Sequence, residues 1–99
     1  MTKDLKNWFS EWCDESTEEL IDQMGYYSKE DIGREISIEA GMDGIDELRS
    51  LNKREWEREA PIIFNVHLPY DHPIMKELRN TSNEELMPIM RKSLEKYAR

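Results

Sequence analysis

Apolar residues open the chain at helical spacing. Leu5, Trp8, Phe9, Trp12 and Cys13 fall at i, i+3, i+4, i+7 and i+8, the pattern of one buried helix face. Thr2 stands where an N-cap belongs. Ser16 followed by Glu19 has the form of a capping box, which would open a second segment with Leu20, Ile21 and Met24 inward and Gly25 as its stop. Nothing between Cys13 and Ser16 breaks a helix outright, so one bent helix is the alternative.

Ser28 with Asp31 gives the next start signal. The stretch that follows reads two ways: Ile32, Ile36 and Ala40 fit a helix, while Ile36, Ile38 and Ala40 alternate as in a strand. The helical reading is preferred, ended by Gly41. Asp43 then caps a longer segment through Ile45, Leu48, Leu51 and Trp56, with Pro61 marking its end.

The run Ile62 to Leu68, set between prolines, has strand character. A lone strand needs a mate, and Glu35–Ala40 is the candidate. Asp71 and Pro73 open a short helix carrying Ile74, Met75 and Leu78. Ser82 with Glu85 opens a last one, with Leu86, Ile89, Met90, Leu94 and Tyr97 inward and Pro88 expected to kink it or delay its start. The pattern therefore predicts an all-α fold, a small single-domain bundle of five or six short helices, with a minor two-stranded element (about 35–40 with 62–68) as the variant.

Composition sharpens this picture. Ninety-nine residues suit one domain. Charged residues make up 36% and apolar ones 37%, so the surface must be crowded with charge. Three Trp, four Tyr, two Phe and six Met still supply a core. The single cysteine, Cys13, rules out an intramolecular disulfide and a thiolate zinc cluster, and its place on an apolar helix face reads as an inert buried thiol. No window resembles a membrane span and the opening residues do not resemble a signal peptide, so a cytoplasmic protein is expected.

The net charge of −8 is unevenly spread. Residues 1–47 hold four bases against fourteen acids, a net of −10, whereas residues 48–99 hold ten against eight, a net of +2. The densest part is a ladder of Glu11, Asp14, Glu15, Glu18, Glu19 and Asp22, spaced so that all six share one face of a continuous helix. At ~1.5 Å rise per residue they span about 16 Å. The ladder thus reaches somewhat over half the charge density of B-DNA, which carries one phosphate per ~1.7 Å of axis. Seven like-charged pairs stand three or four residues apart, with no Lys or Arg between residues 7 and 28 to relieve them. At about 0.2–0.5 kcal/mol each, that is roughly 1.5–3.5 kcal/mol of repulsion.

A solvated face is the plain explanation of the ladder. The functional one is a surface shaped for a basic protein, possible mimicry of nucleic-acid charge included, with Tyr26 and Tyr27 as adjoining contact residues. The expected function is a non-enzymatic regulator or inhibitor acting on a protein partner that has a basic or nucleic-acid-binding surface. By composition alone this is the profile of phage-type anti-host or anti-defence factors. A homodimer is compatible with so small a core.

Two other classes are weaker. A helix-turn-helix over Asp31–Leu51, with Gly41 at the turn, would bind DNA, but its second helix opens Asp43, Gly44, Ile45, Asp46, Glu47, which phosphate repels. A basic variant would use Arg49, Lys53, Arg54, Arg58, Arg91, Lys92, Lys96 and Arg99, with Glu55, Glu57 and Glu59 neutralising much of its first part. A metal or ligand site around His67, Asp71 and His72 is disfavoured because adjacent Asp71 and His72 diverge in most backbones. No catalytic residue, metal ligand or cofactor is assigned.

Overall fold

A computed structural model describes residues 1–24 and 34–97. The described residues form five helices: α1 (Lys3–Met24), α2 (Glu35–Ser50), α3 (Lys53–Ile63), α4 (Pro73–Asn80) and α5 (Asn83–Tyr97). No strand occurs among them, so the all-α reading holds and the two-stranded variant does not. Residues 35–40 lie in α2, and Ile62 and Ile63 close α3.

The first helix opens as its cap predicts. The Leu5 amide donates to Thr2 Oγ1 at 3.3 Å, and the Lys6 amide to the Thr2 carbonyl at 3.1 Å. Ser16 starts nothing: α1 runs unbroken past it, because Cys13 and Thr17 continue the buried face of Leu5 and Phe9. The Thr17 hydroxyl donates back to the Cys13 carbonyl at 2.8 Å, so this buried polar group is satisfied inside its own helix.

Gly41 does not end a helix either. Ile38, Met42, Ile45 and Leu48 are all buried on one side of α2, and that apolar stripe outweighs the roughly 1 kcal/mol each that Gly41 and Gly44 cost as interior glycines. The break falls later, at Leu51–Asn52, where the expected segment through Trp56 divides. Asn52 accepts from the Glu55 amide at 2.8 Å, and the Glu55 side chain accepts from the Asn52 amide at 3.0 Å, a complete capping box.

Pro61 sits inside α3 rather than after it. The chain then turns on Asn65, whose φ of 53° lies in the left-handed region that Asn tolerates better than most residues. Both the Phe64 and Val66 amides return to the Ala60 carbonyl, at 3.2 and 3.0 Å. The expected strand is thus a helix end, a left-handed turn and an extended connector. The indole N–H of Trp12 fixes that connector through the Phe64 carbonyl at 2.8 Å, and that of Trp56 through the Leu68 carbonyl at 3.0 Å.

At α4 the cap is His72, whose Nδ1 accepts from the Ile74 amide at 3.1 Å. Asp71, expected in that role, instead pairs with Lys53 at 2.8 Å. Arg79 lies over the Tyr70 ring, 3.8 Å from its centroid, and donates to the Tyr70 carbonyl at 2.7 Å. Its guanidinium also stands 5.6 Å from the centre of the Trp56 ring. Pro88 neither delays α5 nor ends it: the Glu85 and Leu86 amides bond to the Ser82 carbonyl and the helix continues to Tyr97.

The described helices share one core. It is built from Leu5, Phe9 and Cys13 of α1, Ile38, Met42, Ile45 and Leu48 of α2, Trp56 and Ala60 of α3, Val66 of the connector, Met75 and Leu78 of α4, and Leu86, Met90 and Leu94 of α5. Helix α1 packs most extensively against α5, nearly a whole chain length away in sequence. Gly41 lets α2 approach α5 closely, since a Cβ there would stand 2.6 Å from Met90 Sδ. No described helix is long and apolar enough to cross a membrane.

Candidate functional site

The six carboxylates of the ladder do lie on one continuous helix, but they do not have one fate. Glu11, Glu15 and Asp22 are exposed and form no ion pair with a described residue. Asp14 is drawn inward. It accepts from the buried Ser93 hydroxyl and pairs with Lys96 Nζ at 3.2 Å, so it fastens α1 to α5. Glu18 accepts from the Tyr97 hydroxyl at 2.8 Å. That bond, with a lesser contribution from burial, pushes the Tyr97 phenol up to about 12.

Part of the repulsion along the ladder is therefore relieved from across the bundle, by groups some eighty residues away that no local pattern could reveal. Glu19 is exposed at the edge of a groove. Tyr26 and Tyr27 lie outside the described residues, as does Asp31, where the helix-turn-helix reading began.

That groove is the feature the sequence did not disclose. It has a volume of about 630 Å³ and runs between α1, α2 and the end of α3. Trp12, Leu20, Ile62, Ile63, Met90 and Leu94 are among the residues that line it. Ile62 is 82% exposed and Ile63 63%, the most exposed large apolar side chains among the described residues. The run containing them reads as strand; a helix ending on two isoleucines instead leaves both exposed. Ala40, Gly41 and Gly44 present only small groups along the α2 wall.

The remaining candidate chemistry is occupied structurally. His67 Nε2 lies 2.9 Å from Asn65 Oδ1, Asp71 holds Lys53 and His72 caps α4. Among the described residues no group of three or more His, Cys, Asp or Glu side chains is placed to hold a metal. Burial, reinforced by the neighbouring Asp14 charge, pushes the Cys13 thiol up to about 12.

Of the basic residues weighed for nucleic acid, Arg49, Lys53, Arg91 and Lys96 are paired within the molecule, and Arg99 lies outside the described residues. Arg49 bonds Asp46 at 2.7 Å and the Thr81 carbonyl at 2.5 Å, and also reaches Asn83. Arg91 holds Glu35 at 2.5 Å, while Lys53 and Lys96 hold Asp71 and Asp14. With Gly41 inside α2, the turn that a helix-turn-helix unit would need there is absent. Compared with protein-family models, curated proteins and solved structures, the chain finds no match in any of the three.

Proposed function

We propose that this protein is a non-enzymatic regulator or inhibitor that binds a basic surface of another protein, presenting the exposed carboxylates of α1. The observation that carries this reading is the row Glu11, Glu15 and Asp22, which shares a helix face, is exposed and forms no ion pair among the described residues. A surface arranged only for stability interleaves bases with acids. This one keeps its charge available to a partner, which steers encounter and discriminates against acidic surfaces. Mimicry of nucleic-acid charge is the specific form this would take against a nucleic-acid-binding target, in the cytoplasm.

The test is affinity capture from source-cell lysate after nuclease treatment, with the tagged wild type beside a Glu11→Gln, Glu15→Gln, Asp22→Asn variant. A protein with a basic surface, retained by the wild type and lost by the variant, supports the reading. Equal retention by both sinks it.

A further inference from the structure

We propose that His72 is a pH-sensitive latch: its neutral imidazole caps α4, and protonation releases that cap and the end of the connector leading into it. The Nδ1 atom accepts from the Ile74 amide at 3.1 Å, so it must present a lone pair there. An imidazolium carries a proton on both ring nitrogens and has no acceptor left. Protonation therefore sets two donors against each other and places a positive charge at the positive end of α4. Asn, Asp and Ser are the preferred residues at such a position, and an Asn amide would hold the same N–H at any pH between 5 and 8. Histidine makes the cap depend on pH.

On its own stretch of chain Asp71 precedes the ring, and Lys76 and Arg79 follow within two turns. From α3, Lys53 pairs with Asp71 at 2.8 Å, with Glu57 one turn along. From α1, the Thr2 amide donates to Glu77 at 2.6 Å. Asp71 is the neighbouring carboxylate that could pair with an imidazolium, and its charge is already engaged. The Lys53 bond first, helped by Lys76 and Arg79, holds its carboxyl below the ordinary value.

The latch closes the junction between α3 and α4. The His72 amide bonds to the Pro69 carbonyl at 3.0 Å, Arg79 reaches back to the Tyr70 carbonyl, and Trp56 holds the Leu68 carbonyl. Met75 and Leu78 are fully buried further along α4, so release frays its first turn and leaves the rest anchored. His67, the other histidine of the chain, is placed the opposite way. Its Nε2 lies 2.9 Å from Asn65 Oδ1, an acceptor, so protonation keeps that bond. Histidine is the side chain whose ordinary charge change falls between pH 5 and 8, and these two serve as each other's control.

The test is urea unfolding of the full chain at pH 8 and pH 5.5, in the wild type, His72→Asn, His72→Ala and His67→Gln. Between those two conditions the wild-type unfolding constant should rise about fivefold relative to that of His72→Asn, the ~1 kcal/mol typical of a lost cap. His72→Ala should unfold about fivefold more readily than His72→Asn at both, because it has no cap to lose. His67→Gln should respond as the wild type does. In isotope-edited NMR spectra the Ile74 amide and the His72 ring should move with one shared midpoint, and Nδ1 should carry no proton at pH 8.

A wild type whose pH response matches that of His72→Asn overturns the proposal. So does a response that disappears in His67→Gln, which would assign the sensitivity to the other histidine. An Ile74 amide that stays fixed while the His72 ring titrates, or a proton found on Nδ1 at pH 8, also overturns it.

Discussion

The Tyr97 hydroxyl donates to the Glu18 carboxylate at 2.8 Å, joining the last described turn of the chain to the middle of its first helix. The phenol is held up to about 12 against an ordinary value of 10.0, so its neutral form is favoured by folding. A raised folded value contributes stability that is complete below the unfolded value and lost as pH climbs through the folded one. The alkaline side of the stability profile should therefore fall between pH 10 and about 12. Tyr97→Phe should remove that component and cost about 0.5–1 kcal/mol at neutral pH, read by urea unfolding across pH.

Neighbouring rungs of the same ladder should behave oppositely. Glu15→Gln removes repulsion from an exposed position and should leave the melting temperature unchanged or higher. Asp14→Ala leaves the buried Ser93 hydroxyl without its acceptor and Lys96 without its partner, and should cost about 1–2 kcal/mol. Thermal melts of the two single variants check the contrast.

The two glycines of α2 form a second contrasting pair. Gly44→Ala adds a methyl to open space and should stabilise the helix by up to about 1 kcal/mol. At Gly41 the same methyl meets Met90 Sδ at 2.6 Å and Cε at 3.0 Å, and Met90 is buried. The helix-forming gain is then offset by displacement of the thioether, so Gly41→Ala should melt below Gly44→Ala.

Cys13 should resist a thiol reagent at pH 8 in the native protein, because the thiolate forms only near pH 12 and the side chain is buried. Labelling should follow global unfolding, with a rate that rises in urea as the native population falls. Rapid labelling in native buffer would mean that α1 opens locally.

Acid should weaken the fold through a short set of carboxylates. Asp46 is held below its ordinary value by Asn83 and then Arg49, Glu35 by Arg91, Asp71 by Lys53 and Glu77 by Thr2. Lowered folded values give stability that is present above the ordinary range of 3.8 to 4.5 and lost as pH falls through the folded values. Asp46→Asn should flatten this acid limb, measured by urea midpoints stepped downward from pH 5.

Helical class, the Thr2 cap, the inward face of α1 as far as Cys13 and those of α4 and α5 are legible in the sequence because they are local, since periodicity and capping act within a turn or two, whereas Leu20, expected inward, is exposed. Local signals misplace α2, since Gly41 looks like a stop and becomes one only where tertiary burial does not carry the helix past it. The Asn52–Glu55 box is legible by the same rule that was applied to Ser16 and Ser82, but the apolar run through Trp56 conceals it. The Ile62–Leu68 stretch is misread because Asn65, one residue in the left-handed region, converts a β-like composition into a turn. As for the site, the charges of the ladder are plain in the sequence. Which of them remain available is not, because Ser93, Lys96 and Tyr97 settle that across the bundle.

The pairing of α1 with α5 has a consequence for how the chain comes into being. In synthesis α1 leaves the ribosome well before α5, the helix against which it packs most extensively. Until then the nascent first helix must keep an apolar face in water, and contacts of such long sequence separation close late. The like charge of its seven acids would keep neighbouring nascent chains apart during that wait.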